Sequence, residues 1–586
     1  MPGAPQAYRF GPFVLDLDDH QLLRAGVEVP LRPKAFQTLA HLVERHGHVV
    51  GKQELLDRVW PETHVSEAVL THCVAEVRQA LQDDVRQPRF VKTVPLAGYK
   101  FIAAVGAPDE GSDTREGDAS PGRPASAIAV LPFANISGDP ENEFFCDGLS
   151  EELINGLTQV PGLRVVAHSS SFSFKGRDID AREVGRQLNV GTILEGSVRK
   201  TGQRLRIAAQ LIDANEGYHL WSEQYDRRLE DVFAIQDEIS LAILSKVRGS
   251  VPGAFPLPRR EVHDLQAYEL YLKGRSFWHR RFNGFLPRAM ECFQQVIERD
   301  PRFALAYTGL ADSYATLGIW GFAPAANVFP VAMKLVEGAL ELEPALAEAH
   351  ASRGLLRMFH DWDWAGAGVD LARAVALNPG NAVIRLWNAH YLSVAGRWDE
   401  ALAEVLLAQD LDPLSAVVVA NVGWTFSLAG QQPRALDELR KVLASDPRNG
   451  IALFYQGYAL AELRRYDEAL ESFGAAIEAT GGMPWAAESM AWVKALMGDR
   501  AGARQILAES LARMKSAYRP SSAIAIIHLG LGDDDALFEW LGRCVDERDA
   551  ILPWIGLMPC FDRVRPDRRF HAVLSAIGLA GEIVQG

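Results

Sequence analysis

Apolar positions along this chain follow three successive spacings. Between Leu31 and Phe101 they first recur at helical intervals and then at strand intervals. Leu70, Val74, Val77 and Leu81 lie three or four residues apart, so they form one stripe of a helix predicted over 66–81. Shorter helical patterns open at Pro33 and run over 52–60. Two extended runs, 89–94 and 97–101, follow and predict a glycine-turned hairpin. From Ala127 the spacing changes. Residues 128–133 fit a buried strand, 144–160 an amphipathic helix with Leu149, Leu153 and Leu157 four apart, and 163–168 another strand. Asp180 and Glu183 mark a helix start. Extended runs 192–199 and 204–213 flank the turn Thr201-Gly202, and a third follows Gly217. Alternating strands and helices predict a small α/β domain.

The remainder repeats. Alanines recur at 367, 401, 435, 469 and 503, and prolines at 379, 413 and 447, all with a step of 34 residues. Ala289 with Pro301 and Ala332 with Pro344 keep the same twelve-residue offset, so the earlier units are longer. This period resembles the tetratricopeptide repeat, and the unit containing Gly457, Tyr458, Ala459, Tyr466, Ala469 and Phe473 matches it well. Small residues let two helices approach, and the proline ends the second helix. About seven to eight repeats are expected over 264–549, with a degenerate cap over 550–586. Residues 105–125 are rich in Gly, Pro, Ser and Asp without an apolar period, which predicts a flexible linker reaching roughly 25 Å.

A length of 586 residues implies several domains, and 48% hydrophobic with 23% charged residues is ordinary for a globular protein. Five scattered cysteines form no CxxC pair, which argues against structural zinc or a disulfide framework and suits a reducing compartment. No apolar run reaches the ~18–20 residues that span a bilayer, so no membrane partner and a cytoplasmic location are expected.

The net charge of −15 sits badly with nucleic acid until it is divided. Residues 1–104 hold twelve Lys+Arg against twelve Asp+Glu, so the excess negative charge lies beyond them. Residues 78–101 hold five basic groups against Asp83 and Asp84. Phosphate attraction is local, screened beyond about 8–10 Å, so this clustering matters more than the total.

Three helices closed by a hairpin is the order of a winged helix, whose third helix enters the DNA major groove while the hairpin touches the flanking backbone. The pieces Lys92-Thr93-Val94 and Gly98-Tyr99-Lys100-Phe101 closely resemble the end of the OmpR/PhoB-type winged-helix family. Residues 1–104 are read as this domain. Opposite the apolar stripe, the third helix would present Thr71, His72, Ala75, Arg78 and Gln79 to a groove. Arg forks to guanine and Gln to adenine, so Arg78 and Gln79 are the leading base readers, with Thr71 and His72 behind them. Lys52, Arg89, Lys92 and Lys100 are expected on phosphates. Many relatives are basic where this chain has Ala75 and Glu76, and Pro95 stands where arginine is common. Glu76 would repel phosphate or read a cytosine amino group. Modest affinity per monomer and reliance on paired half-sites are therefore expected.

The run from Phe174 to Ala214, together with Ala127-Ile128-Ala129-Val130-Leu131-Pro132-Phe133, resembles the TolB-like domain found between effector modules and tetratricopeptide arrays in bacterial regulators and cyclases. It covers 126–251 and identifies a fold without naming a ligand. In the repeats, Trp320, Phe322, Trp362, Trp364, Trp387 and Trp424 either line a concave groove or pack helix on helix. The longer second repeat, around 318–330, is expected to form an irregular contact loop.

Catalytic signatures are lacking: there is no GxxxxGK[ST], HExxH or GxSxG, and no glycine fingerprint between strand and helix. His168 beside Ser169–Ser171 reads as a strand end with satisfied hydroxyls. No cofactor, metal or enzymatic activity is expected. The fold class is thus multidomain: an α+β winged helix, a small α/β TolB-like domain and an all-α tetratricopeptide solenoid. The resemblance implies a soluble CadC-like one-component transcription regulator that binds double-stranded DNA. No phospho-acceptor domain precedes the winged helix, so a protein or small-molecule signal is expected on the C-terminal part. That signal either clamps the winged helix or assembles a homodimer on spaced half-sites. The alternative is an interaction scaffold with a vestigial or protein-binding winged helix.

Overall fold

Among the described residues, four short strands come first: β1 (Ala7–Phe10), β2 (Phe13–Asp16), β3 (Gln21–Arg24) and β4 (Val27–Glu28), joined as an antiparallel meander. The computed structural model describes residues 7–103, 127–247 and 264–579, apart from 11–12, 18–20, 25–26, 30, 47, 61–66, 82, 84–87, 89, 95–97, 140–141, 178, 282–283 and 484. The expected linker, 105–125, lies outside the described residues. Two compact units emerge, Met1–Ala119 and Ser120–Gly586.

In the first unit the meander is followed by α1 (Pro33–Glu44), β5 (Val49–Gly51), α2 (Lys52–Val59), α3 (Glu67–Leu81), β6 (Val91–Val94) and β7 (Gly98–Phe101). Leu70, Val74, Val77 and Leu81 of α3 are all buried, against the apolar faces of α1 and α2. The opening sheet is absent from the sequence reading, yet it supplies the core with Phe10 and Phe13, whose rings pack on Phe101 and Phe90 at 5.0 and 5.6 Å. The hairpin gains a third strand, in the order β5-β7-β6. Gly98 (φ +144°) starts β7 rather than serving as its turn. A Cβ there would lie 2.0 Å from the Val50 carbonyl oxygen, so only glycine admits β5 at this point.

The second unit begins with an α/β layer: β8 (Ala127–Val130), β9 (Ala134–Asn135), α4 (Glu143–Thr158), β10 (Arg164–Val165), α5 (His168–Phe172), α6 (Ala181–Leu188), β11 (Thr192–Thr201), β12 (Arg204–Asp213), β13 (His219–Arg228) and α7 (Val232–Val247). The sheet runs β10-β8-β11-β12-β13, with β9 also on β11. Its β8–β11 and β8–β10 pairs are parallel, and β11-β12-β13 is an antiparallel meander. The strand expected over 163–168 shrinks to two residues. The chain turns instead into α5, because the Ser170 backbone N–H and hydroxyl are drawn to Asp412 further along the chain. Asp180 caps α6 by accepting from Arg182 N–H.

Eight helix pairs follow: α8 (Leu265–His279) with α9 (Leu286–Arg299), α10 (Ala304–Ile319) with α11 (Ala325–Leu342), α12 (Ala347–Leu356) with α13 (Trp364–Leu377), α14 (Ala382–Val394) with α15 (Trp398–Leu411), α16 (Ala416–Leu428) with α17 (Gln432–Ser445), α18 (Gly450–Glu462) with α19 (Tyr466–Thr480), α20 (Ala486–Leu496) with α21 (Arg500–Arg513), and α22 (Ser521–Leu531) with α23 (Asp534–Glu547). Ala289, Ala332, Ala367, Ala401, Ala435, Ala469 and Ala503 are each 0% exposed, which is why the period needs a small residue there. Gly457 serves the same end: a Cβ would stand 2.5 Å from the Phe473 ring. The short helix α24 (Leu552–Ile555) then turns inward, its Trp554 packing on Phe359 and His390.

The α/β layer docks on this array at two places. Gly148 of α4 lies against Leu272 of α8, while Arg164, Ala167 and Ser170 bond to Asp410, Leu411 and Asp412 near the end of α15. Apolar side chains of both parts form one continuous core.

Candidate nucleic-acid interface

The hairpin folds over one flank of α3 and decides what that helix can offer. Arg78 is only 8% exposed. Its guanidinium donates to the Val91 carbonyl oxygen at 2.8 and 3.3 Å and to Thr93 Oγ1 at 2.9 Å. Arg78 is therefore corrected from base reader to brace between α3 and β6. The residue sits one position after Val77, about 100° round the helix, and the hairpin covers that side. Asp83 completes the clamp: its carboxylate accepts from Phe90 N–H at 3.2 Å and Val91 N–H at 2.7 Å.

Glu76 also differs from expectation. It accepts from the Arg32 backbone N–H at 3.1 Å and from Arg32 Nε at 2.8 Å, so its charge is balanced within the domain. This removes the unpaired carboxylate that would repel phosphate or pair with cytosine. Ala75 is exposed. Thr71, His72 and Gln79 lie on α3, with side chains outside the described set; Arg89 and Pro95 lie outside the described residues altogether.

Lys92 and Lys100 are directly opposite one another in the β6–β7 register, so both side chains leave the same face of the hairpin. Lys92 is exposed and Lys100 half-buried. Lys52 is half-buried at the start of α2. The sequence pattern does not single out Arg58, which is exposed in the last turn of α2. Its only signal is a polar position between Leu55 and Val59.

In the second unit, Glu151, His168 and His279 bring ligand-type atoms within 4.8 Å of one another. Glu151 Oε1 already accepts from Arg275 at 2.7 and 2.9 Å and from His279 Nε2 at 3.1 Å. Burial alone would raise this carboxyl, but Arg275 and His279 hold it well below the usual range. Burial lowers both histidines, His168 well below its ordinary value. Their rings stack at 3.8 Å. A guanidinium on the shared oxygen repels a cation, so the cluster acts as an ion pair joining α4 to α8. Ser170 gives its hydroxyl to Asp412 at 2.6 Å, which removes it as a nucleophile for His168.

Family models match three stretches: "transcriptional regulatory protein, C terminal" over residues 26–101, "HilA/YgeH-like transcriptional regulator, second domain" over 124–241, and "tetratricopeptide repeat" over 429–484. Residues 26–101 of the first unit are thus similar to the C-terminal domain of transcriptional regulatory proteins. The transcriptional regulator HilA of Salmonella typhimurium is 24% identical over 430 residues, 72% of this chain and 74% of that protein. A putative adenylate cyclase 3 of Rhizobium meliloti is 39% identical over 241 residues, and the chain spans 40% of its length, as the match spans 40% of this chain. The solved DNA-binding domain of E. coli CadC aligns with 30% identity over 18% of this chain and 99% of its own, with a TM-score of 0.17. The chain thus joins a stretch similar to OmpR/PhoB-type regulatory domains to one similar to the HilA second domain and one similar to tetratricopeptide repeats. Among the described residues, no helix is long and apolar enough to cross a membrane.

Proposed function

We propose that this chain is a one-component transcription regulator that acts by binding DNA rather than by catalysis. The observation that carries the reading is the match of the first unit to transcriptional regulatory domains, in a unit whose Lys92 and Lys100 share one hairpin face. With Arg78 engaged, base reading passes to Thr71, His72 and Gln79 of α3, around exposed Ala75. Lys52, Arg89, Lys92 and Lys100 hold phosphates. The protein works in the cytoplasm, on paired half-sites occupied by two copies. The TolB-like and repeat region receives a protein or small-molecule signal. A signal that prefers the DNA-competent state a hundredfold shifts the equilibrium by about 2.7 kcal/mol.

Burial of Arg78 favours a second reading, a scaffold whose winged helix binds protein. Sequencing of genomic fragments bound by the tagged protein separates the two. Regulation gives recurrent sites sharing a motif, whereas a scaffold gives no enriched sequence.

A further inference from the structure

The inner side of the repeat array holds a cavity of about 340 Å³, partly open to solvent, between the ends of α4 and α5, the inner helices of the repeats, and α24. Part of its wall is aromatic. Trp320, Trp387, Trp424 and Trp554 line it, and Trp424 stacks on Tyr455 at 4.8 Å. The aromatic groove anticipated from sequence is thus divided. Trp320, Trp387 and Trp424 belong to the cavity, while Trp364 donates its indole N–H to the Ile577 carbonyl oxygen at 2.7 Å and Trp362 lies under Arg548.

Another part of the wall is charged, with the carboxylates of Glu151, Asp312, Glu348 and Asp412 against the guanidiniums of Arg275 and Arg281. Most of these are already matched. Arg275 holds Glu151 at 2.7 and 2.9 Å, and Asp412 takes the Ser170 hydroxyl at 2.6 Å. Arg281 donates to the Trp278 carbonyl oxygen at 3.1 Å and lies 3.9 Å from the Trp278 ring. Asp312 and Glu348 are left. Both are half-buried, on the inner helices α10 and α12, and close enough for Glu348 to disfavour the charge on Asp312. Asp312 Oδ1 accepts from the Ser352 hydroxyl at 2.6 Å. Its Oδ2 and both Glu348 carboxylate oxygens have no hydrogen bond or ion pair among the described residues, and all of them reach open space. Burial pushes the Asp312 carboxyl up to about 6, although Ser352, Arg275 and Arg281 oppose the shift. Two like charges side by side and withdrawn from bulk water favour a cation between them.

We propose that this cavity is an effector site for a small aromatic amine, its ammonium held by the Asp312 and Glu348 carboxylates and its ring against Trp320 and Trp387. A primary ammonium offers N–H donors and no acceptor, which suits the unoccupied oxygens of both residues. The tryptophan faces add attraction for the same cation and apolar cover for the ring. An anion finds no such place, because both guanidiniums are engaged within the wall. The volume suits a small molecule, since ligand pockets run from ~300 to 1,000 Å³. An occupant ties α10 and α12, through the carboxylates, to α14, which carries Trp387, so binding favours one curvature of the array. The inference rests on reading the chain as a signal-responsive regulator and names the class of its signal.

The test is isothermal titration calorimetry of the full chain with tryptamine, beside indole-3-propionate, which keeps the ring and replaces the amine with a carboxylate. Saturable binding of one tryptamine per chain is expected, with no binding of the propionate. Asp312→Asn and Glu348→Gln keep the shape and remove the charge. Each should weaken tryptamine about tenfold, equal to ~1.4 kcal/mol, while the melting curve stays cooperative. No saturable tryptamine site, propionate binding as tight as that of tryptamine, or unchanged affinity in either variant overturns the proposal; if one variant does not fold, the other decides. A short lysine peptide, acetylated and amidated, that binds more tightly than tryptamine also overturns it, in favour of a protein partner. The same samples are titrated with DNA from the protein's own upstream region. DNA binding without a tryptamine site overturns this inference alone, whereas a tryptamine site without DNA binding overturns the regulator reading.

Discussion

Arg78 and Val91 lock the third helix to the hairpin: the buried guanidinium donates to the Val91 carbonyl oxygen at 2.8 Å. The contact braces α3 against β6 and occupies the arginine that sequence alone would assign to guanine. Arg78→Ala is predicted to cost the first unit roughly 1–3 kcal/mol, the price of losing a buried charge-assisted hydrogen bond. Hydrogen exchange followed by mass spectrometry should show faster exchange over 67–101. Unchanged exchange together with lost DNA affinity would place Arg78 on DNA instead.

Lys92 and Lys100 act differently. Each alanine substitution should lower the slope of log affinity against log salt by about 1 and weaken binding equally across DNA sequences. Anisotropy titrations at several salt concentrations check this. A change in sequence preference with an unchanged slope would argue for base contacts.

Asp412 is buried at the end of α15, where its Oδ1 accepts from Ser170 N–H at 2.9 Å and from the Ser170 hydroxyl. Asp412→Ala removes the two bonds from Ser170 and leaves the Arg164–Asp410, Ala167–Leu411 and Arg275–Glu151 bonds in place. Calorimetry of the full chain should show the second unit's transition broadening or splitting, with a loss of roughly 1–3 kcal/mol. An unaltered transition would mean that the apolar core and the remaining polar contacts, Arg275–Glu151 among them, couple the two parts without Asp412.

Burial pushes the His390 imidazole down to about 4 from its ordinary value near 6.5, although Asn421 opposes the shift. The folded state thus binds fewer protons than the unfolded state in that window. Stability conferred by neutral His390 is complete above pH 6.5 and is lost as pH falls towards 4. Burial pushes Asp312 up to about 6, which has the opposite sign: its contribution is present below the ordinary carboxylate range and fades as pH rises through 6. His390→Gln should flatten the acid side of a plot of urea midpoint against pH. An identical slope would place the acid sensitivity elsewhere, with His168 and His279 the next candidates.

The stripe of α3 is legible in sequence because four inward positions over fifteen residues leave little choice of face. The repeats are legible for a related reason, since a small residue fixed at each helix crossing imposes the period. Arg78 is not legible: periodicity says which face of a helix meets the core but not which flank a later hairpin will cover. The opening sheet escapes because strands of two to four residues offer too few alternations to register. Trp320 and Trp364 show the same limit, since only the curvature of the whole array decides that Trp320 lines the inner cavity while Trp364 meets the Ile577 carbonyl.

The central claim is tested most directly by fluorescence anisotropy of labelled DNA from the protein's own upstream region, titrated with the full chain at increasing salt. Sequence-specific binding that weakens steeply with salt, and that is reduced in the Lys92→Ala and Lys100→Ala variants, is the predicted result. Binding that is indifferent to both salt and sequence, or no binding at all, would contradict the account.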